Sequence, residues 1–174
     1  MSARKRSGRT TQPDTDGPIA AAIRRADHRD LERILALWLA LIEHHADLDP
    51  LFALRSGAET TLRRLLETQL RDAETAVFVR DEGGRLAGFC SVHIERAPPV
   101  HREVARAEIM DVLVRAERRR CGIGRALVAA ALAWVRGRDV SRVEVRVAAQ
   151  NAEAQHFWRA LDFGPFVDVL HRRL

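Results

Sequence analysis

The sequence predicts an α/β (α+β) protein, and three stretches predict it. Leu31, Ile34, Leu35, Trp38, Leu41 and Ile42 fall on one helical stripe. Residues 75–80 and 85–94 flank Gly83-Gly84, a tight-turn pair that joins two strands as a hairpin. Residues 105–114 form an apolar strand that runs into a basic turn with two glycines and then a further helix.

Taken in order, residues 1–17 are rich in Ser, Thr, Gly, Pro and Arg without periodicity. They are expected to be a disordered basic tail. Residues 18–174 form one domain, long enough for a proper core. Residues 19–25 read as a first strand, and Asp27 or Asp30 can cap the helix that follows. Pro50 lies in the next connection, ahead of a second helix through Thr61, Leu62, Leu65, Leu66 and Leu70. The hairpin comes next, and Pro98-Pro99 then breaks the chain. After the strand at 105–114, a helix runs from Gly122 to about Val135, with Ala126, Leu127, Ala130, Ala131 and Trp134 at helical spacing. An alternating strand at 143–147, a short helix after Asn151 and a last strand near 166–170 complete the order βααβββαβαβ.

Composition excludes several classes. Hydrophobic content of 47% and charged content of 30% are those of a soluble globular protein. No run of 18 apolar residues exists, so no membrane partner is expected. The basic start lacks an apolar stretch of signal-peptide type. Cys90 and Cys121 are the only cysteines and read as reduced thiols, which places the chain in the cytoplasm. The net charge is +5, of which Arg4, Lys5, Arg6 and Arg9 against Asp14 and Asp16 put +2 in the tail. The body is left with interspersed signs instead of a basic face lined by aromatics, so no nucleic-acid partner is expected.

The turn reads Arg119-Arg120-Cys121-Gly122-Ile123-Gly124-Arg125-Ala126 between strand and helix. Glycines admit a ligand close to the backbone, and the free N–H groups opening a helix favour an anion. A Walker loop would need four residues between its glycines and then Gly-Lys-Ser/Thr. A dinucleotide fingerprint would need a third glycine where Leu127 stands. What remains, Arg119-x-x-Gly122-x-Gly124, resembles the signature of the GNAT superfamily of acyl-CoA-dependent N-acyltransferases. Downstream, Asn151-x-x-Ala154-x-x-Phe157-Trp158-x-x-Leu161-Asp162-Phe163 resembles that family's second signature, in the family's order and separation. The resemblance covers residues 19–174.

That resemblance implies a GNAT fold, a mixed sheet flanked by helices whose central strands splay apart, and acetyl-CoA as co-substrate with no metal. The pantetheine arm would lie in the gap and pair with the backbone of Val112, Leu113 and Val114 like an added strand. The pyrophosphate would rest on the N–H groups from Arg119 through Arg120, Cys121, Gly122, Ile123, Gly124 and Arg125 to Ala126. Asn151 would contact the cofactor arm or cap the helix that follows. The family's proton-donating tyrosine falls at Trp158, and the chain contains no tyrosine. Trp158 is therefore expected to pack against cofactor or core, leaving water, the helix N-terminus or His156 to meet the departing thiolate. Cys121 reads as a small residue in a tight turn.

The implied chemistry is attack by a neutral amine on a thioester. A lysine-like amine of pKa ~10.4 costs about 4.6 kcal/mol to deprotonate at pH 7, whereas a thiol of pKa ~8.5 lies only about 2 kcal/mol away. A base therefore matters more than an acid. Glu108 is the expected base, at the start of the strand where histone-type members carry a glutamate, and Asp111 is its rival. Three apart on a regular strand, the two would point to opposite faces unless a bulge intervenes. His44, His45, Asp47 and Asp49 border the expected acceptor side and are read as amine-binding; adjacent histidines share no helix face, so no metal is expected there. The partner is a small-molecule or peptide amine, and family members often pair through their sheets, so a homodimer is a further expectation. The rival reading is a non-catalytic acyl-CoA-binding or regulatory module.

Overall fold

A computed structural model describes residues 23–98, 100 and 102–172. The tail at 1–17 and the first part of the strand expected at 19–25 lie outside the described residues. The elements are β1 (Ile23–Arg25), α1 (Leu31–Leu48), α2 (Ala58–Arg71), β2 (Thr75–Glu82), β3 (Arg85–Arg96), β4 (Ala105–Val114), α3 (Ile123–Arg136), β5 (Val143–Val145) and α4 (Ala152–Arg159). One sheet runs in the order β1-β2-β3-β4-β5. The first four strands pair antiparallel, and β5 joins β4 in parallel, so the sheet is mixed.

The period-2 pattern of the strands divides the apolar residues between two faces. Val77, Val79 and Phe89 pack beneath Ile34, Leu35, Leu37 and Leu41 of α1 and Leu62 and Leu66 of α2. Phe78, Cys90, Val92, Ile94 and Ile109 meet Leu127, Ala131 and Val135 of α3 and Trp158 of α4 on the opposite face. The start of α1 is held by a buried carboxylate. Asp30 is 1% exposed and takes Arg24 at 2.7 Å and Arg33 at 2.5 Å, while Asp27 caps the short turn before it. Of the two expected caps, Asp27 caps the 3-10 turn, whereas Asp30 stands at the N-cap position of α1 without a side-chain cap bond and serves as an ion-pair anchor.

One predicted element does not form. Residues 164–172 carry no strand, and Phe166, Val167, Val169 and Leu170 are exposed at 68–92%. The segment opens on Gly164-Pro165, which offers one backbone donor fewer than a strand needs. Its backbone finds no partner among the described residues.

Candidate active site

Where β4 leaves β5, the sheet opens. Their pairing is limited to Ala107↔Val143, Glu108↔Glu144 and Ile109↔Val145, after which β4 runs on to Val114 without β5. The β5-side edge of Met110–Val114 therefore has no strand partner among the described residues. Val112 and Val114 lie with the α3-side cluster and Leu113 with the α1/α2-side cluster. Their unpaired backbone is the feature an extended ligand could join as a strand.

At the end of β4 the chain turns into α3 through the basic loop. Gly122 caps the helix at φ 79°, a conformation that glycine adopts without a side-chain clash. Arg120 also has positive φ, 61°. Among the described residues, none of the N–H groups of Arg120, Cys121, Gly122, Ile123, Gly124 and Arg125 has an acceptor, whereas the two expected donors that flank them are taken, Arg119 N–H by Ala116 O at 3.2 Å and Ala126 N–H by Gly122 O at 3.0 Å. Six unpaired donors at a helix start form a concentrated anion site. Gly124 leaves room for it: a Cβ there would lie 3.3 Å from the Phe157 ring and 3.6 Å from Val114. Ile123 and Ala126 anchor the turn in the core.

The arginines of the loop are unequally engaged. Arg118 is held by Glu82 at 2.6 Å, Arg119 reaches Glu153 at 3.5 Å, and Arg125 lies 3.5 Å from Ala160 O. Arg120 has no such partner among the described residues and is exposed. Cys121 is an exposed free thiol, whereas Cys90 is buried, and burial together with the Asp111 carboxylate drives its thiol far up.

Across the loop, Asn151 caps α4 by accepting from Ala154 N–H at 2.9 Å, so the capping role expected of it is in place. Trp158 is 7% exposed and packs edge-on against Phe157 and Phe163, with ring centroids 5.1 and 5.0 Å away. It is a core residue of α4. His156 is exposed.

The two carboxylates of β4 do not separate as a regular strand requires. Ser91 pairs with Asp111 and Val92 with Ile109, so Met110 is an extra residue on β4. Glu108 stands opposite His93 and Asp111 opposite Ser91, two residues apart on β3, and both therefore face α1 and α2. The bulge corrects the expectation of opposite faces. Glu108 remains partly open, 26% exposed, with Arg146 at 3.4 Å and Arg106 at 3.9 Å. Asp111 is tied down instead, accepting from Trp38 Nε1–H at 3.0 Å and Ser91 Oγ–H at 2.7 Å. Burial raises the Asp111 pKa against those two hydrogen bonds.

Trp38 belongs to the apolar stripe of α1, and its indole N–H gives it a polar role as well. Ser91 and His93 carry a signal that parity reading exposes: they are the polar alternate positions of the otherwise apolar run from Leu86 to Ile94. On α1, burial and the neighbouring His44 lower the His45 pKa, and its ring lies 5.6 Å from Phe52. Asp49 caps the turn at Pro50–Phe52 by accepting from Leu51 N–H. Among the described residues no group of His, Cys, Asp and Glu is placed to hold a metal ion, and no helix is long and apolar enough to cross a membrane.

The model for the Acetyltransferase (GNAT) family fits residues 38–163. The chain belongs to the GNAT acetyltransferase family. Among curated relatives it is similar to a mycothiol acetyltransferase of Clavibacter michiganensis subsp. michiganensis, 34% identical over 103 residues, covering 59% of this chain and 31% of the relative. A mycothiol acetyltransferase of Renibacterium salmoninarum is 26% identical over 135 residues, covering 74% and 37%. This GNAT chain thus spans about a third of the length of those relatives. Among solved structures, a tetramutant protein from Bacillus halodurans superposes with TM-score 0.78 at 22% identity, over 87% of this chain and 99% of that one. An aminoglycoside N-acetyltransferase solved with CoA gives TM-score 0.69 at 19% identity, over 87% and 93%. At those identities the superpositions establish a shared GNAT fold.

Proposed function

We propose that this chain is an N-acetyltransferase that moves acetyl from acetyl-CoA to a primary amine by direct attack. The observation that carries the reading is the unpaired edge of Met110–Val114 leading into six free N–H groups at the start of α3. A pantetheine amide can pair with the edge, and a pyrophosphate can sit on the donors with Arg120 beside it. Val112, Leu113, Val114 and the loop from Arg119 to Ala126 hold the co-substrate in this account. Gly124 supplies the close approach, Asn151 orders the facing helix, and Trp158 supports Phe157 from beneath.

The acceptor amine approaches from the α1/α2 side, where Glu108 is partly exposed beside Arg106 and Arg146. Its carboxylate holds the ammonium and draws off a proton, directly or through one water. The neutral nitrogen attacks the thioester carbon, the C–S bond breaks, and the second nitrogen proton passes to the thiolate. Asp111 shapes the floor of this side, because its two bonds leave it committed to Trp38 and Ser91. Replacing Glu108 with Gln is expected to lower kcat about 100-fold or more while leaving acetyl-CoA affinity near normal, read by thiol release and calorimetry. A non-catalytic acyl-CoA-binding module is the second reading, favoured by the buried, hydroxyl-free Trp158 at the position of the family's acid. That reading expects no amine-dependent thiol release from the unaltered chain.

A further inference from the structure

A second polar assembly flanks Glu108. Thr75, at the start of β2, is 2% exposed, and its Oγ1 lies 2.6 Å from Asp72 Oδ2 and 2.9 Å from His93 Nδ1. Asp72 also accepts from Glu74 N–H at 3.1 Å, and these two hydrogen bonds lower its pKa. An ionised carboxylate can only accept, so the Thr75 hydroxyl donates to Asp72. The Thr75 oxygen must then accept from His93, which fixes the proton of the neutral imidazole on Nδ1. The lone pair is left on Nε2, which has no partner among the described residues, and the side chain is 41% exposed. His93 stands directly opposite Glu108 in the β3–β4 ladder, and Glu108 opposite Glu144 in β5. Side chains so paired share a face, with Cβ atoms about 5 Å apart.

We infer that His93, oriented by the Asp72–Thr75 pair, is a proton acceptor for the acceptor amine beside Glu108. This rests on the reading of the chain as an amine acetyltransferase. The proton that the Glu108 carboxylate draws from the ammonium passes on to His93 Nε2, which leaves Glu108 ionised again. The resulting imidazolium keeps its Nδ1–H on Thr75, its positive charge faces Asp72, and it later releases the proton to water. An imidazole nitrogen is a stronger base than a carboxylate oxygen, which favours that transfer. The charged groups facing it are Asp72 from the α2–β2 link and Glu108 from β4, with Glu95 along its own strand paired to Arg106.

The test uses His93→Gln and Thr75→Val in the full chain, with acetyl-CoA and a panel of an aminoglycoside, a diamine and a lysine peptide. His93→Gln is expected to lower kcat at pH 7 roughly 10- to 100-fold with unchanged calorimetric affinity for acetyl-CoA. The deficit should shrink above pH 9, where the amine needs less help. Thr75→Val should lower kcat in the same direction, and nitrogen NMR should show the His93 proton leaving Nδ1 for Nε2. In the unaltered chain the neutral ring should carry its proton on Nδ1; finding it on Nε2 overturns the inference even if neither variant folds. Turnover by the unaltered chain with a His93→Gln rate equal to it overturns the inference alone. No turnover by the unaltered chain with any amine overturns the acetyltransferase reading and this inference together.

Discussion

One extra residue, Met110, decides what the two acidic side chains of β4 can do. Were Met110 a regular strand position, Asp111 would point at α3 into an apolar layer; with Met110 bulged out, Asp111 reaches Trp38 and Ser91 beneath α1. Close backbone approach matters as much at Gly88, where a Cβ would lie 2.5 Å from Leu113 O. Gly88→Ala should therefore push β3 from β4 and cost about 2–3 kcal/mol, measured by chemical denaturation. Little of this was legible in the sequence. Glu108-Ile109-Met110-Asp111 contains no glycine to announce a bulge, so counting parity sent the two carboxylates to opposite faces. The cradle was legible because Gly122 and Gly124 have a local reason to be there, a positive φ and a close ring. The Asp72–Thr75–His93 assembly was not, since it joins residues 21 apart through a strand register that only folding sets.

At the level of elements, two devices set how the helices start. Asp30 holds Arg24 and Arg33 at the head of α1 and is itself almost fully buried. Asp30→Ala leaves Arg24 and Arg33 with Asp81 as their remaining acidic partner; because both are partly solvated, the expected loss is about 2 kcal/mol, below that of a fully buried pair. The side-chain bond from Arg24 holds the Asp30 pKa below the usual carboxylate range. Its contribution is therefore fully present above about pH 4 and lost as pH falls below that. Acid denaturation of the Asp30→Ala chain should show a shallower pH dependence in that window. At α4, Asn151→Ala removes the cap on Ala154 N–H and should cost about 1 kcal/mol. The strand expected near 166–170 shows the limit of composition: apolar residues there match a strand, but a strand exists only where a neighbouring edge accepts it.

Over the whole molecule, the two faces of the sheet are unlike. The α3 face is apolar across β2, β3 and β4, and it gives the cradle a rigid base through Ile123 and Leu127. The α1/α2 face is apolar at Val77, Val79 and Phe89 but turns polar at Ser91, His93, Glu108 and Asp111. Co-substrate and acceptor would thus enter the same gap from opposite sides, which direct transfer requires. The chain spans about a third of the length of the mycothiol acetyltransferases it matches. The most direct measurement of the central claim is a calorimetric titration with acetyl-CoA, made on the unaltered chain and on Gly124→Glu. Saturable binding is expected to the first and none to a folded second, because a carboxylate at 124 crowds Phe157 and Val114 and adds negative charge beside the anion-binding N–H groups. Equal binding by both, or no binding by the folded unaltered chain, would contradict it.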